Sequence, residues 1–191
     1  KKYRTLLLAI LALVGVLLVG LDYAGAADLT LAQAINKSGR QRMLAQRIVK
    51  AYLQLGQGVT PQVSQQQLSD AVLLFEAQLV DLRKIALDAG ARQSVARLEK
   101  LWRPFKATAT GAANRRGAER LLALDAELVD AAHELTMELQ NRAASPTARL
   151  VNMAGRQRML SQQLAKFYLL RAWGIESPSV SKEISSARTE F

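Results

Sequence analysis

The stretch INKSGRQRML at residues 35–44 returns as VNMAGRQRML at residues 151–160, and the rest of the chain can be placed around these two segments. When the windows are extended to residues 53 and 169, they share 11 identities in 19 positions at a constant offset of 116 residues. Two unrelated helices do not agree at that rate, so the chain contains an internal repeat. The shared positions include a glycine and several polar residues. Packing alone does not require these residues, so the repeat points to function.

The composition predicts an almost entirely α-helical protein. Half of the 191 residues are hydrophobic, only 5% are aromatic, and there are four prolines. Leu, Ala, Gln and Arg dominate, and all of them are compatible with helices. The length leaves room for one domain or two small ones. The absence of cysteine excludes a disulfide framework and a thiolate metal site.

The positive charge is concentrated in the two copies of the repeat. Residues 35–50 and 149–171 each contain five Lys or Arg and no acidic residue, which accounts for the whole formal net charge of +10. Such clustering favours a local anion site over a general polycation. The chain contains no recognisable nucleic-acid-binding module, so we expect no nucleic-acid partner.

Residues 1–26 are typical of a signal peptide. They combine a positively charged start, an apolar run over residues 6–21 and the cleavage motif AGA at residues 24–26. The alternative is an uncleaved membrane anchor, although a spanning helix needs about 20 apolar residues. In both cases we expect the remainder to be periplasmic, and a retained leader would anchor it to the inner membrane.

The hydrophobic spacing predicts four helices, over residues 28–57, 61–90, 93–110 and 118–142. We expect Gly90 to close the second helix, Pro104 to kink or shorten the third, and Arg115 and Arg116 to lie on a loop. Short connections favour an all-α, antiparallel up-down four-helix bundle over residues 27–145. Residues 146–191 then begin a second, truncated copy, with its first helix over 147–173. Either the chain continues beyond residue 191 or this part docks as a helical extension.

Arg42 is the most informative residue of the repeat because it falls on the apolar stripe of the first helix. A cation in line with core residues costs desolvation free energy unless a partner compensates it. Gly39, one turn earlier, lets a second helix approach, and a guanidinium matches a planar oxyanion. Two such helices would place Arg42 and Arg158 around one anion, and binding would move the helices.

Several less specific interpretations stay open at this point. Arg42 and Arg158 could instead pair with carboxylates of their own bundle, such as Asp125 or Glu127. Asn36 and Asn152 could contact a ligand or the backbone, and the motif glycines could serve packing alone. For the other arginines, the favoured interpretation is a solvated helix face: Arg40, Arg47 and Arg156.

No catalytic constellation is visible in the sequence. His133 is the only histidine, and it has no second His or Cys nearby with which to bind a metal. A phosphate-binding glycine loop, a nucleophile elbow and a clustered carboxylate pair are all missing. We therefore expect no enzyme, no metal site and no cofactor.

The motif Ile-Asn-Lys-x-Gly-x-x-Arg-Met, present at residues 35–43, resembles the N-terminal sensor domain of NarX-like nitrate/nitrite sensor kinases and PilJ-type methyl-accepting chemotaxis transducers. WRPF at 102–105 and AAHELT at 131–136 are similar to later parts of the same domain. The resemblance covers residues 28–142 fully and 147–191 as a truncated second copy. It implies a periplasmic four-helix bundle in which the motif arginine contacts one nitrate shared between two subunits.

Carried over to this chain, the resemblance implies a non-catalytic sensor of nitrate or nitrite, with a homodimer or a pseudo-dimer of the two copies and a membrane signalling partner. Met153 replaces the motif lysine in the second copy, which weakens the expected anion affinity there. The alternative is a structural or protein-interaction module without a small ligand. The implied ligand-binding residues are Arg42 and Arg158, followed by Asn36, Lys37, Gly39, Asn152 and Gly155.

Overall fold

The computed structural model describes residues 31–85 and 88–175, together with positions 185 and 189. Within these residues the structure is helical and contains no strand, which confirms the predicted all-α class. The leader predicted at 1–26, the first residues of the helix predicted at 28–57 and most of the second copy after its first helix lie outside the described residues. The helices are α1 over 31–56, α2 over Pro61–Lys84, α3 over Ala89–Ala109, α4 over Arg115–Ala143 and α5 over Pro146–Ala172.

Three helices begin at side-chain caps. In each case a short polar side chain accepts a hydrogen bond from a backbone N–H of the first turn, which would otherwise lack a partner. In α2 and α5, a proline at the first helical position also favours the start of the helix there. The caps are Asp88 for α3, Asn114 for α4 and Ser145 for α5, with acceptor distances of 2.9, 2.8 and 3.1 Å.

These caps explain two predictions that were wrong. Gly90 does not close α2 but lies in the first turn of α3, because Asp88 starts that helix. Arg115 and Arg116 are not on a loop, since Asn114 caps α4 immediately before them. A separate expectation was that Pro104 kinks or shortens the third helix. It does not shorten α3, which continues for five residues beyond it.

The first four helices run up and down around one core. Lys37 of α1 binds Asp81 near the end of α2 at 2.6 Å, whereas Lys50 binds Gln67 near its start at 3.3 Å, so these helices are antiparallel. Similar pairs relate α3 to α2 and to α4. The row of apolar residues that faces inward on each of α2, α3 and α4, its seam, is buried. The ring of Phe75 stacks on Trp102 with centroids 3.9 Å apart. The four-helix bundle is therefore confirmed.

The fifth helix packs on the bundle beside α1 and runs in the same direction. Asn152 near its start contacts Arg42, and the carbonyl of Leu169 near its end accepts from Gln57 at 3.1 Å. The residues that meet are separated by 110 and 112 positions, close to the repeat offset of 116. The two copies of the motif therefore lie side by side, and α1 is enclosed between its own bundle and α5.

The Tyr52 side chain packs tightly against the start of α4, and a substitution there can test the packing of the bundle. The Tyr52 hydroxyl donates to the carbonyl of Ala112 at 2.7 Å and accepts from Asn114 N. A methyl group at Gly117 would overlap this hydroxyl oxygen. We expect Gly117→Ala to lower the free energy of unfolding by about 1–3 kcal/mol, as for other overpacked sites. Denaturant unfolding measures this, with Gly111→Ala as an exposed control. Equal stabilities would contradict the contact.

None of the helices in the described ranges combines the length and the apolar character that a membrane-spanning segment needs.

Candidate functional site

The guanidinium of Arg42 is enclosed between α1, α4 and α5. Only 1% of the residue is exposed. Its Nη1 lies 2.9 Å from Nδ1 of His133, its Nη2 donates to Oδ1 of Asn152 at 2.6 Å, and its Nε donates to the carbonyl of Gly39 at 3.4 Å. These partners are all uncharged, so the geometry fixes the guanidinium without neutralising it.

No carboxylate compensates this charge among the partners of Arg42 within the described residues. Asp125 instead accepts from Gln46 at 3.0 Å and from Lys166 at 2.6 Å, and Glu127 is exposed. The alternative that Arg42 pairs with one of these carboxylates was therefore wrong. A buried cation of this kind is destabilising unless an anion joins it.

The surroundings of Arg42 disfavour its positive charge and would favour a bound anion. Burial, followed by the positive charge of Arg156, lowers the pKa of Arg42 to about 10. Arg42 is still charged near neutral pH, and its electrostatic environment is unfavourable to that charge. An anion beside the guanidinium would relieve both effects.

His133 is the part of the site that sequence reasoning missed. A guanidinium can only donate hydrogen bonds, so Nδ1 must accept and the neutral ring carries its proton on Nε2. Burial is the largest cause that lowers the pKa of His133, followed by the charges of Arg42 and Arg156. The sequence could have indicated this contact only through the relative position of the antiparallel helices α1 and α4 along their axes. Because α1 and α4 are antiparallel, the contact of Gln46 with Asp125 brings Arg42, one turn earlier, towards His133, about two turns later.

Two repeat-related glycines leave space around the arginines. A methyl group at Gly39 would lie 3.2 Å from Nη2 of Arg42. A methyl group at Gly155 would lie 3.5 Å from the same atom and 3.9 Å from Nη2 of Arg158. The missing side chain of Gly155 therefore marks a point where donor nitrogens from both copies of the motif converge. A small anion there could accept from both.

The other predicted site residues are placed less closely around Arg42. Lys37 is bound to Asp81 on α2, and Asn36 is half-buried on α1. Arg158 is exposed, unlike its buried counterpart in α1. Asn152 does reach the site, where its amide also donates to Gln140 at 2.7 Å.

The remaining motif arginines differ from one another in exposure. Arg156 is exposed, whereas Arg40 and Arg47 are half-buried and therefore less solvated than predicted.

A family model for the N-terminal domain of type IV pili methyl-accepting chemotaxis transducers (PilJ) matches residues 26–129 and 139–191. The chain belongs to this family. The second match contains the repeat at 151–160, as expected for tandem copies of the PilJ domain. No curated protein and no solved structure gives a significant match to the chain.

The PilJ family is a family of sensing and signalling domains and not a catalytic family. Family membership therefore suggests a sensory role for the two side-by-side copies of the motif, in addition to their role in packing. In a sensor domain, a buried charge between two helices is a position where ligand binding can change how those helices pack.

Proposed function

We propose that this chain is a periplasmic sensor domain that holds one small planar oxyanion, nitrate or nitrite, between Arg42 and Arg158. The observation that carries the proposal is the buried guanidinium of Arg42. Its hydrogen-bond partners among the described residues are neutral, and it meets Asn152 and Gly155 from the second copy of the motif. Family membership supports a sensory role, and the chemistry of the guanidinium supports a planar anion.

The arrangement of α1 and α5 supports a site built within one chain. The resemblance to nitrate sensors implies an anion shared by the motif arginines of two subunits. Here α5 lies parallel to α1 at nearly the repeat offset, so the second copy can supply the motif helix that a second subunit would otherwise provide. We therefore propose a pseudo-dimer of the two copies that binds one anion per chain.

Signalling would follow from the electrostatics of this pair. Without an anion, the like charges of Arg42, Arg156 and Arg158 repel one another and oppose close packing of α5 on α1. An anion between them replaces repulsion with attraction, so it favours a state in which α5 lies closer to α1. The ligand shifts the equilibrium only by its difference in affinity for the two states. The moved helix would then act on a membrane signalling partner.

The same proposal includes the organisation of the chain. Residues 1–26 would export it, as a cleaved signal peptide or an inner-membrane anchor. Residues 27–145 would form the first sensor domain, and 146–191 the beginning of the second. The match to the PilJ family supports the two-copy part of this division.

A second candidate function, a helical module that binds another protein, rests on one observation. The outer face of α5 carries three large hydrophobic side chains that are each more than half exposed: Leu150, Met153 and Tyr168. An apolar surface of this kind can mark an interaction site. The two candidates differ in their response to small anions, which only the sensor should show selectively.

Thermal unfolding of the full chain in nitrate, nitrite, sulfate and chloride at matched ionic strength tests the sensor proposal. We expect nitrate or nitrite at 100 times its dissociation constant to stabilise the protein by about 2.7 kcal/mol, a rise in Tm of roughly 5–10 °C. Arg42→Met should abolish the response, because it removes the buried donor at similar volume. Arg103→Met, which replaces an exposed arginine of α3, should keep it. An equal rise in all four salts would contradict a selective site.

A further inference from the structure

We propose that His133 belongs to the anion site and takes up one proton from solvent when the anion binds, so that the site responds to anion and acidity together. This inference rests on the proposed function, since it concerns the same site. It begins from the contact of 2.9 Å between Nη1 of Arg42 and Nδ1 of His133. That contact requires an unprotonated Nδ1, because both partners would otherwise be donors.

The protein groups around His133 oppose its protonation. Arg42 faces the ring from α1 and Arg156 from α5, and both are positive. Asp130 and Glu134, on the same helix as His133, act in the opposite direction but more weakly than the burial and the two arginines together. Glu134 is also bound to Arg97 of α3, which offsets part of its negative charge. These protein groups therefore favour the neutral imidazole.

A bound anion reverses this balance. It adds a negative charge beside Arg42, so the positive potential that opposes the imidazolium falls. It also gives the guanidinium a stronger acceptor than a neutral imidazole nitrogen. Arg42 can then release Nδ1, which takes a proton from solvent and becomes a third positively charged donor near the anion. The proton and the anion stabilise each other in the site.

The direction of the pH dependence follows from this linkage. Burial and the two arginines lower the pKa of His133. A bound anion would raise it, so proton uptake would accompany binding. Affinity therefore increases as pH falls through the interval between the two pKa values and is constant above and below it. By reciprocity, each unit by which the anion raises the pKa corresponds to about tenfold tighter binding at the acidic limit.

Because the chain contains a single histidine, NMR can follow its titration without ambiguity. We expect a pKa below the ordinary value in chloride and a rise of at least about half a unit in saturating nitrate. The nitrogen shifts should show the proton of the neutral ring on Nε2. In Arg42→Met, the pKa should be higher in chloride and should no longer respond to nitrate. An unchanged pKa in a protein that nitrate stabilises would overturn this inference and leave the proposed function standing.

A calorimetric experiment gives an independent readout. Nitrate titrations in two buffers of different ionisation enthalpy should show net proton uptake near the pKa of His133. In His133→Asn, the amide oxygen replaces Nδ1 as the acceptor for Arg42 but cannot titrate, so nitrate affinity should no longer change with pH. A His133→Asn protein that keeps the pH dependence would assign it to another group and refute the role of His133. If nitrate binds to the unmodified chain at no pH, the proposed function itself fails.

Discussion

Asp125→Ala is expected to lower the free energy of unfolding by about 3–5 kcal/mol, because it leaves a buried ammonium without a counter-charge. Asp125 is 3% exposed and accepts from Lys166 of α5 at 2.6 Å and from Gln46 of α1 at 3.0 Å. Lys166 itself is only 1% exposed. Once the carboxylate is removed, the ammonium keeps no counter-charge among its partners in the described residues.

The position of this pair makes its loss more damaging than that of the other ion pairs. The remaining ion pairs of the described residues are all partly exposed, and such pairs contribute roughly 0–1 kcal/mol. The Asp125 carboxylate, by contrast, links α4 to both motif helices. A shift of α5 along the bundle would separate Lys166 from this carboxylate. The pair therefore fixes the register in which Asn152 and Gly155 meet Arg42.

The repeat supplies a matched control for this prediction. Lys50 is the counterpart of Lys166 in the first copy, but it is half-buried and bound to the neutral Gln67. Lys50→Met should change stability by less than about 1 kcal/mol. The double variant Asp125→Leu with Lys166→Met should recover most of the stability lost in Asp125→Ala, because it leaves no buried charge. Urea unfolding with linear extrapolation measures all three. Similar losses for Asp125→Ala and Lys50→Met would show that the ammonium of Lys166 is not held in the interior.

The spacing of hydrophobic residues along the sequence was sufficient to predict the bundle and the burial of Arg42. Steps of three and four residues determine which positions face inward, and this holds for a polar residue on the stripe as well as for an apolar one. Periodicity also placed the seams of α2, α3 and α4. The helix starts were less well predicted because Gly90 and the loop arginines were given more weight than Asp88 and Asn114. Both of these are favoured N-cap residues, so the signal was present.

Periodicity does not determine which buried polar groups meet. Arg42 was expected on the apolar stripe of the first helix, and Asp125 was one of its candidate partners. The choice between Arg42 and Lys166 as the partner of Asp125 depends on where α5 lies along the bundle. That position follows from packing between residues more than 40 places apart, as does the contact of Arg42 with His133. Such contacts become visible only when the helices are assembled.

For Gly155→Ala we expect the stability of the fold to be kept or slightly raised and the affinity for nitrate to fall. Gly155→Ala replaces a helix-interior glycine, which favours the helix by up to about 1 kcal/mol. The added methyl group would lie 3.5 and 3.9 Å from the nitrogens of Arg42 and Arg158, which are ordinary contact distances. The protein should therefore fold with unchanged or slightly higher stability.

The affinity for nitrate should fall nevertheless. An anion oxygen must approach each donor nitrogen to about 2.7–2.9 Å, and the methyl group would occupy the point where the two nitrogens converge. The loss of two charge-assisted hydrogen bonds, at about 1.5–3 kcal/mol each, corresponds to a reduction in affinity of roughly 100-fold or more. Nitrate titration calorimetry measures this directly. Ala154→Gly, one position earlier on the exposed side of α5, should lose some helix stability and keep the affinity.

Measured together, the two quantities separate a ligand glycine from a packing glycine. A packing glycine loses stability when a methyl group is added, as we expect for Gly117, where the group overlaps the Tyr52 hydroxyl. A glycine that leaves room for a ligand loses affinity while the fold keeps its stability. If Gly155→Ala binds nitrate as tightly as the unmodified chain, the anion does not lie between the two motif arginines. If it loses stability as Gly117→Ala does, the repeat conserves its glycine for the approach of α5 to α1, and the convergence of the two arginines is a consequence of that packing.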